Sequence, residues 1–140
     1  MKNTDKLKVL IADDSTLILE RLLEILGMFD DVEVVGMAGN GMDALASLKK
    51  YKPDLAIVDF KMPGLNGLEV LSEIRKENKN MVFMLLTFYS SAQYRHQAFE
   101  SGTDYFFTKS DDFDQVSDVV ALCIRRKQLF DPEYLMKLAN

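Results

Sequence analysis

Short apolar runs alternate along the chain with stretches whose apolar residues recur every three or four positions, and most of the apolar runs stop at a polar residue. Continuous or alternating runs read as strands, and the longer period reads as amphipathic helix. Leu7, Val9, Leu10 and Ile11 predict a first strand ending at Ala12, with Asp13-Asp14 directly behind it. Ser15 then opens a helix whose Leu19, Leu22, Leu23 and Leu26 fall at i, i+3, i+4 and i+7, and Gly27 closes it. Val32, Val34 and Val35 predict a second strand, more polar than the others and so nearer a sheet edge. Asn40 caps a second helix carrying Ala44, Leu45, Leu48 and Tyr51, which Pro53 stops.

The run Leu55-Ala56-Ile57-Val58 ends abruptly in Asp59, and Pro63-Gly64 sets a loop before Asn66 caps a third helix. That helix presents Gly67, Val70, Leu71 and Ile74 on one face, with Glu69 where a capping-box acid belongs. Met81 to Leu86 is a central strand that ends at Thr87. Ser91 to Ser101 shows only a partial stripe, Tyr94, Ala98 and Phe99, before Gly102 at the C-cap. Tyr105, Phe106 and Phe107 form a last strand ending at Thr108-Lys109. Asp112 and Gln115 start a long helix with Phe113, Val116, Val120, Cys123 and Ile124 on its stripe. Asp131-Pro132 has the form of an N-cap and first turn for a short helix over Glu133 to Leu138.

Strands alternating with helices predict an α/β domain with a parallel sheet and right-handed crossovers. At 140 residues and 48% hydrophobic content, the chain reads as one domain with no room for a separate effector domain. The net charge of −5 supplies no basic face for nucleic acid; Lys49-Lys50 and Arg125-Arg126-Lys127 fall at helix ends, where cations suit the dipole. Met1 to Lys6 is short and polar and no run approaches a membrane span, so membrane insertion is not expected and the expected location is cytoplasmic. Cys123 reads as a buried thiol and His96 as a surface histidine, since neither has a partner pattern.

Asp13-Asp14, Asp59, Thr87 and Lys109 all lie just past carboxyl ends of strands, the edge where open parallel sheets bind ligands. Three crowded carboxylates repel one another unless protonated or neutralised. A divalent cation and the Lys109 ammonium balance their charge, and hard oxygen ligands suit Mg2+. Such a site accommodates a phosphoryl group that brings its own oxygens, which makes Asp59, at the tip of a central strand, the candidate nucleophile for an aspartyl phosphate. Asp13 and Asp14 are placed to hold the metal, Lys109 and Thr87 to contact phosphoryl oxygens.

At these residues the chain closely resembles the receiver domain of two-component response regulators, over residues 7 to about 127. The acidic pair Asp13-Asp14, Asp59 with Met62-Pro63 and Gly67, Thr87, and Lys109 within Thr108-Lys109-Ser110 carry the resemblance. It implies a flavodoxin-like (βα)5 fold, a doubly wound five-stranded parallel sheet in the order 2-1-3-4-5, over residues 1–128, with 129–140 a short helical extension. It further implies Mg2+ held by Asp13, Asp14, Asp59 and the backbone carbonyl of Lys61, with Thr87, Lys109 and the aromatic Phe106 as switch residues. The phosphodonor would be a sensor histidine kinase or a histidine phosphotransfer protein. A downstream protein would be met through the fourth helix, fifth strand and fifth helix, by a monomer or weak dimer without direct nucleic-acid contact. Phe88 stands where relatives carry a small residue, and with Lys61 and Tyr89 it flanks the site; Lys61 and Phe88 are expected to shield the acyl phosphate and lengthen its lifetime.

Two other readings compete. Gly39-Asn40-Gly41-Met42-Asp43-Ala44 fits a dinucleotide fingerprint with Asp59 twenty residues on, though it leaves Asp13-Asp14, Thr87 and Lys109 without a task. An aspartate-nucleophile phosphatase would want an acid two residues after Asp59, where Lys61 stands. Within the receiver reading, binding a target when phosphorylated and relaying the phosphoryl group onward remain alternatives.

Overall fold

The computed structural model describes residues 6–139; Met1 to Asp5, most of the short polar N-terminus, and Asn140 lie outside the described residues. Elements follow in the order β1 (Leu7–Ala12), α1 (Thr16–Leu26), β2 (Val32–Ala38), α2 (Gly41–Tyr51), β3 (Leu55–Val58) and α3 (Gly67–Arg75). Then come β4 (Val82–Thr87), α4 (Ala92–Glu100), β5 (Tyr105–Thr108), α5 (Gln115–Leu129) and α6 (Pro132–Ala139). The five strands form one parallel sheet in the order β2-β1-β3-β4-β5, as the flavodoxin-like expectation required. The chain thus changes direction across the sheet between β1 and β3.

Side chains alternate across each strand, so the sheet has two cores. Leu10, Ala12, Ala56, Val58, Phe83 and Leu85 face α2, α3 and α4 through Ala44, Leu48, Val70, Leu71, Ile74 and Ala98. Val9, Ile11, Leu55, Ile57, Met84 and Leu86 face α1 and α5 through Leu22, Leu26, Val116, Val119, Val120 and Cys123. β3 is buried at every position because both faces are covered, whereas β2, at one edge, is largely half-exposed.

Helix starts follow their side-chain caps. Ser15, Asn40, Asn66 and Ser91 each accept a hydrogen bond from a first-turn N–H, and Asn66 and Glu69 complete a capping box. α5 begins later than its sequence pattern predicts: Asp112 turns back to accept from the Thr108 N–H and hydroxyl, and Asp114 at the cap makes no side-chain bond. Phe113 is therefore buried ahead of the helix, with the Arg21 guanidinium 3.8 Å over its ring. α2 ends on Lys52 in the left-handed region at φ 46°, just before Pro53. The C-cap of α4 is Ser101 rather than Gly102, which follows at φ 101° and whose carbonyl accepts from Arg75 Nε. Arg75 also bonds the carbonyls of Asn78 and Met81 and the carboxylate of Asp104, fastening α3 to the entrances of β4 and β5. α6 forms as an amphipathic helix with none of its residues buried.

Candidate functional site

The sheet ladder builds the site. Ala12 pairs with Val58, Val58 with Leu85 and Thr87 with Thr108, so Asp13, Asp59, Thr87 and Lys109 emerge side by side at one edge. Backbone bonds extend the ladder just past the strand ends: Asp59 N–H to the Ala12 carbonyl, Asp13 N–H to Ala38 and Lys109 N–H to Thr87, each 2.9 Å. One carboxylate oxygen of each of Asp13, Asp14 and Asp59 lies within 4.8 Å of the others. Asp13 and Asp59 are buried and Asp14 is exposed, so the cluster opens to solvent on the Asp14 side.

Lys109 reaches into this cluster with its side chain 3% exposed, its Nζ lying 2.5 Å from Asp13 and 3.1 Å from Asp59. The other Asp13 oxygen accepts the Ser15 N–H at 2.9 Å. Burial pushes the Asp59 carboxyl above its ordinary pKa, the Asp13 charge adds to that, and Lys109 pulls the other way. Anionic repulsion at this edge is therefore only partly relieved. Three hard oxygen donors converging on an uncompensated negative charge fit a small divalent cation.

Thr87 is fully buried, and its hydroxyl accepts the Tyr89 N–H at 3.1 Å while donating to no side chain or carbonyl among the described residues. Phe106 points inward at 4% exposure, its carbonyl receiving the Arg95 guanidinium at 3.2 Å. Phe88 is 62% exposed with Lys109 Nζ 5.1 Å over its ring, so it stands at the mouth of the site. Exposed Lys61 places its Nζ 5.6 Å from the Tyr89 ring.

Two glycines hold the loop that follows Asp59. A Cβ on Gly67 would run into the Asp59 carbonyl and the Leu85 side chain, so only glycine lets α3 start so close to the acidic residue. Gly41 similarly meets the Leu65 carbonyl and donates its N–H to Pro63. That contact accounts for the fingerprint Gly39 to Ala44: its glycine seats α2 against the loop, and Asn40 occupies the helix N-terminus as a cap. Two contributions were not read from sequence, the Ser15 N–H on Asp13 and a ring cluster of Phe60, Tyr89 and Tyr94. The aromatic residue directly after Asp59 was the available signal for the second.

Comparison with known proteins places the chain among receiver domains. The family described as the response regulator receiver domain matches residues 9–121. An uncharacterized transcriptional regulatory protein, YvfU of Bacillus subtilis, is 31% identical over 127 residues, covering 91% of this chain and 64% of the relative. The response regulator protein VraR of Staphylococcus epidermidis is 30% identical over 134 residues, covering 96% of this chain and 64% of its own length. The chain thus spans just under two thirds of these relatives. Among solved structures, the response regulator domain of Thermotoga maritima CheB superimposes with a TM-score of 0.76 at 30% identity, over 91% of this chain and 99% of that one. The receiver domain of the putative response regulator NarL from Mycobacterium tuberculosis gives 0.79 at 28% identity, over 86% and 97%.

Proposed function

The chain belongs to the response regulator receiver domain family, whose members bind Mg2+ at an acidic pocket and interact with histidine kinases and downstream effectors; on that premise we propose that this domain accepts a phosphoryl group on Asp59 and signals by the change of surface that follows. The observation that carries the reading is the convergence of Asp13, Asp14 and Asp59 around the buried Lys109 ammonium.

In the proposed step, an Asp59 carboxylate oxygen forms a bond to phosphorus as the bond to the donor breaks. With a histidine kinase or phosphotransfer protein as donor, the imidazole leaves and Asp59 becomes an acyl phosphate. The Asp59 backbone is held at the strand tip by its bond to Ala12 and by the close approach of Gly67 to its carbonyl, which fixes where the carboxylate is presented. The Lys109 ammonium, already beside Asp59, pairs with a phosphoryl oxygen and offsets the added charge. The Thr87 hydroxyl turns from the Tyr89 N–H and donates its free hydrogen to another. Asp13, Asp14, Asp59 and the Lys61 carbonyl would hold Mg2+, which when bound neutralises charge where phosphoryl oxygens gather.

Movement of Thr87 would shift the packing around Phe106, which is already buried beside β4, and the face of α4, β5 and α5 is the surface proposed to meet a target protein. Lys61 and Phe88, at the mouth, are proposed to screen the acyl phosphate from water. Intact-protein mass after incubation with acetyl phosphate and Mg2+ tests the reading. One added phosphoryl group, lost with EDTA or in Asp59→Ala, is the expected result; an unmodified wild-type protein, or an adduct that persists in Asp59→Ala, would overturn it.

A further inference from the structure

α4 is loosely anchored for a helix that covers a sheet. Ala98 is its one buried residue, and Phe99 is left exposed. Its position is set instead by two adjacent side chains, Tyr94 and Arg95. The Tyr94 ring lies 4.7 Å from that of Phe60 and 6.3 Å edge-on from that of Tyr89, while Phe60 and Tyr89 are 6.0 Å apart, so the three rings close a triangle. Arg95 reaches the Phe106 carbonyl at 3.2 Å and lies 5.8 Å over its ring.

The two partners of Tyr94 each belong to a segment that carries a site residue. Phe60 follows Asp59 directly, and its carbonyl accepts the N–H of Gly67, the first residue of α3. Tyr89 donates its backbone N–H to the Thr87 hydroxyl. When that hydroxyl turns away, the Tyr89 loop loses the bond that fixes it, and its ring cannot shift without disturbing Tyr94. A helix with so little buried apolar surface opens locally at low cost, so a change at one ring is enough to move it.

We propose that Tyr94 is a positioning residue whose ring ties α4 to the two loops that follow Asp59 and Thr87. The inference deepens the function proposed above and rests on it only for its consequence at Asp59. The tie runs both ways, because coupling between two sites is reciprocal. A change on α4 therefore alters the environment of the acceptor as much as the acceptor alters α4. The tie uses ring faces and edges rather than the Tyr94 hydroxyl, so phenylalanine preserves it and leucine does not.

Hydrogen exchange on the full chain tests the tie without any phosphodonor. Phe60→Leu, a change outside α4, is expected to speed exchange of the α4 amides about two- to tenfold, the range that loss of one aromatic pair implies, while β1 and β3 amides stay protected. Tyr94→Phe is expected to exchange as wild type. Unchanged α4 exchange in Phe60→Leu overturns the proposal. A second measurement follows the aspartyl phosphate formed from acetyl phosphate and Mg2+. Tyr94→Leu is expected to change its lifetime by about the same factor, and Tyr94→Phe to restore it; one lifetime across all three proteins overturns the link to Asp59. Absence of any adduct in wild type is the failure of the proposed function, and the exchange result then decides the tie alone.

Discussion

Replacing Lys109 by methionine removes an ammonium while keeping a side chain of similar length, and so isolates the part that charge plays at the acidic edge. Nζ lies 2.5 Å from Asp13 and 3.1 Å from Asp59, and all three side chains are buried. At an effective dielectric of about 20 these distances correspond to gross attractions of about 7 and 5 kcal/mol. Desolvation of the three ions offsets much of that, and deletions of one partner from buried pairs cost about 3–5 kcal/mol. The variant also has an escape, since the stranded Asp59 carboxylate, whose pKa burial and the Asp13 charge already raise, can take up a proton. From the ordinary carboxyl value of 3.8, that uptake costs about 4 kcal/mol at pH 7 and about 1.6 kcal/mol at pH 5.

The loss in Lys109→Met is therefore expected at about 3–4 kcal/mol at pH 7 in EDTA, and below about 2 kcal/mol at pH 5. The sign follows from proton counting: the folded variant holds a proton that its unfolded chain has released, so its stability relative to wild type rises as pH falls. Urea unfolding followed by far-ultraviolet circular dichroism at both pH values, with and without Mg2+, gives the differences. Mg2+ at about 100 times its dissociation constant adds about 2.7 kcal/mol to any protein that binds it only when folded, and the more negative variant site is expected to gain more than wild type at equal Mg2+. Equal losses at pH 5 and 7, with no differential effect of Mg2+, would assign the role of Lys109 to packing and refute the charge argument.

Asp59→Asn is expected to raise the melting temperature at pH 7 without Mg2+. Burial and Asp13 raise the Asp59 pKa, so its ionised form costs stability above the folded value; the gain should fade as pH drops toward 3.8, and a melting temperature unchanged at pH 7 would count against it. The thiol of Cys123, buried and pushed up to about 11 from 9.0, should react with a disulfide reagent at pH 8 about a hundredfold more slowly in the folded protein than in urea, from ionisation alone. Gly67→Ala should cost about 1–3 kcal/mol by overpacking against the Asp59 carbonyl and Leu85, and should lower phosphoryl incorporation more than a cavity mutation of equal cost such as Val70→Ala, as read by intact mass.

The alternation of periods was enough to order every strand and helix, and the polar residues closing four strands were enough to gather the acidic edge. What escaped were particular side-chain and backbone contacts, some made by turn geometry and some between segments distant in the chain. Asp112 has the residue type of a helix cap, but Thr108 offers it both an N–H and a hydroxyl at the preceding strand end, and that local bond delays α5 to Gln115. The fingerprint around Gly41 looks like a phosphate loop because close backbone approach also demands glycine; here the approaching group is the Leu65 carbonyl. Ser15 was visible as a cap, yet its N–H on Asp13, which helps orient that carboxylate, follows only from the turn geometry. Tyr94 read as a weak apolar residue on a weak helix because its partners Phe60 and Tyr89 lie on two other loops.

The charged residues of the site and Thr87 are held by different forces, and that difference separates what is fixed at the site from what can move. Asp13, Asp59 and Lys109 follow directly on strands whose neighbours are bonded in register and buried, so bringing three charges together is a cost met by the folding of the whole sheet. Thr87 ends β4 with a hydroxyl held by a single N–H from an exposed loop, and beyond that loop stands a helix with one buried residue. Under the proposed function, a phosphoryl group added at Asp59 would meet a rigid wall on the Asp13 side and a soft one on the Tyr89 side. The extra charge and volume would then be expressed as movement of the loop after Thr87 and of α4, because there the fewest contacts must break.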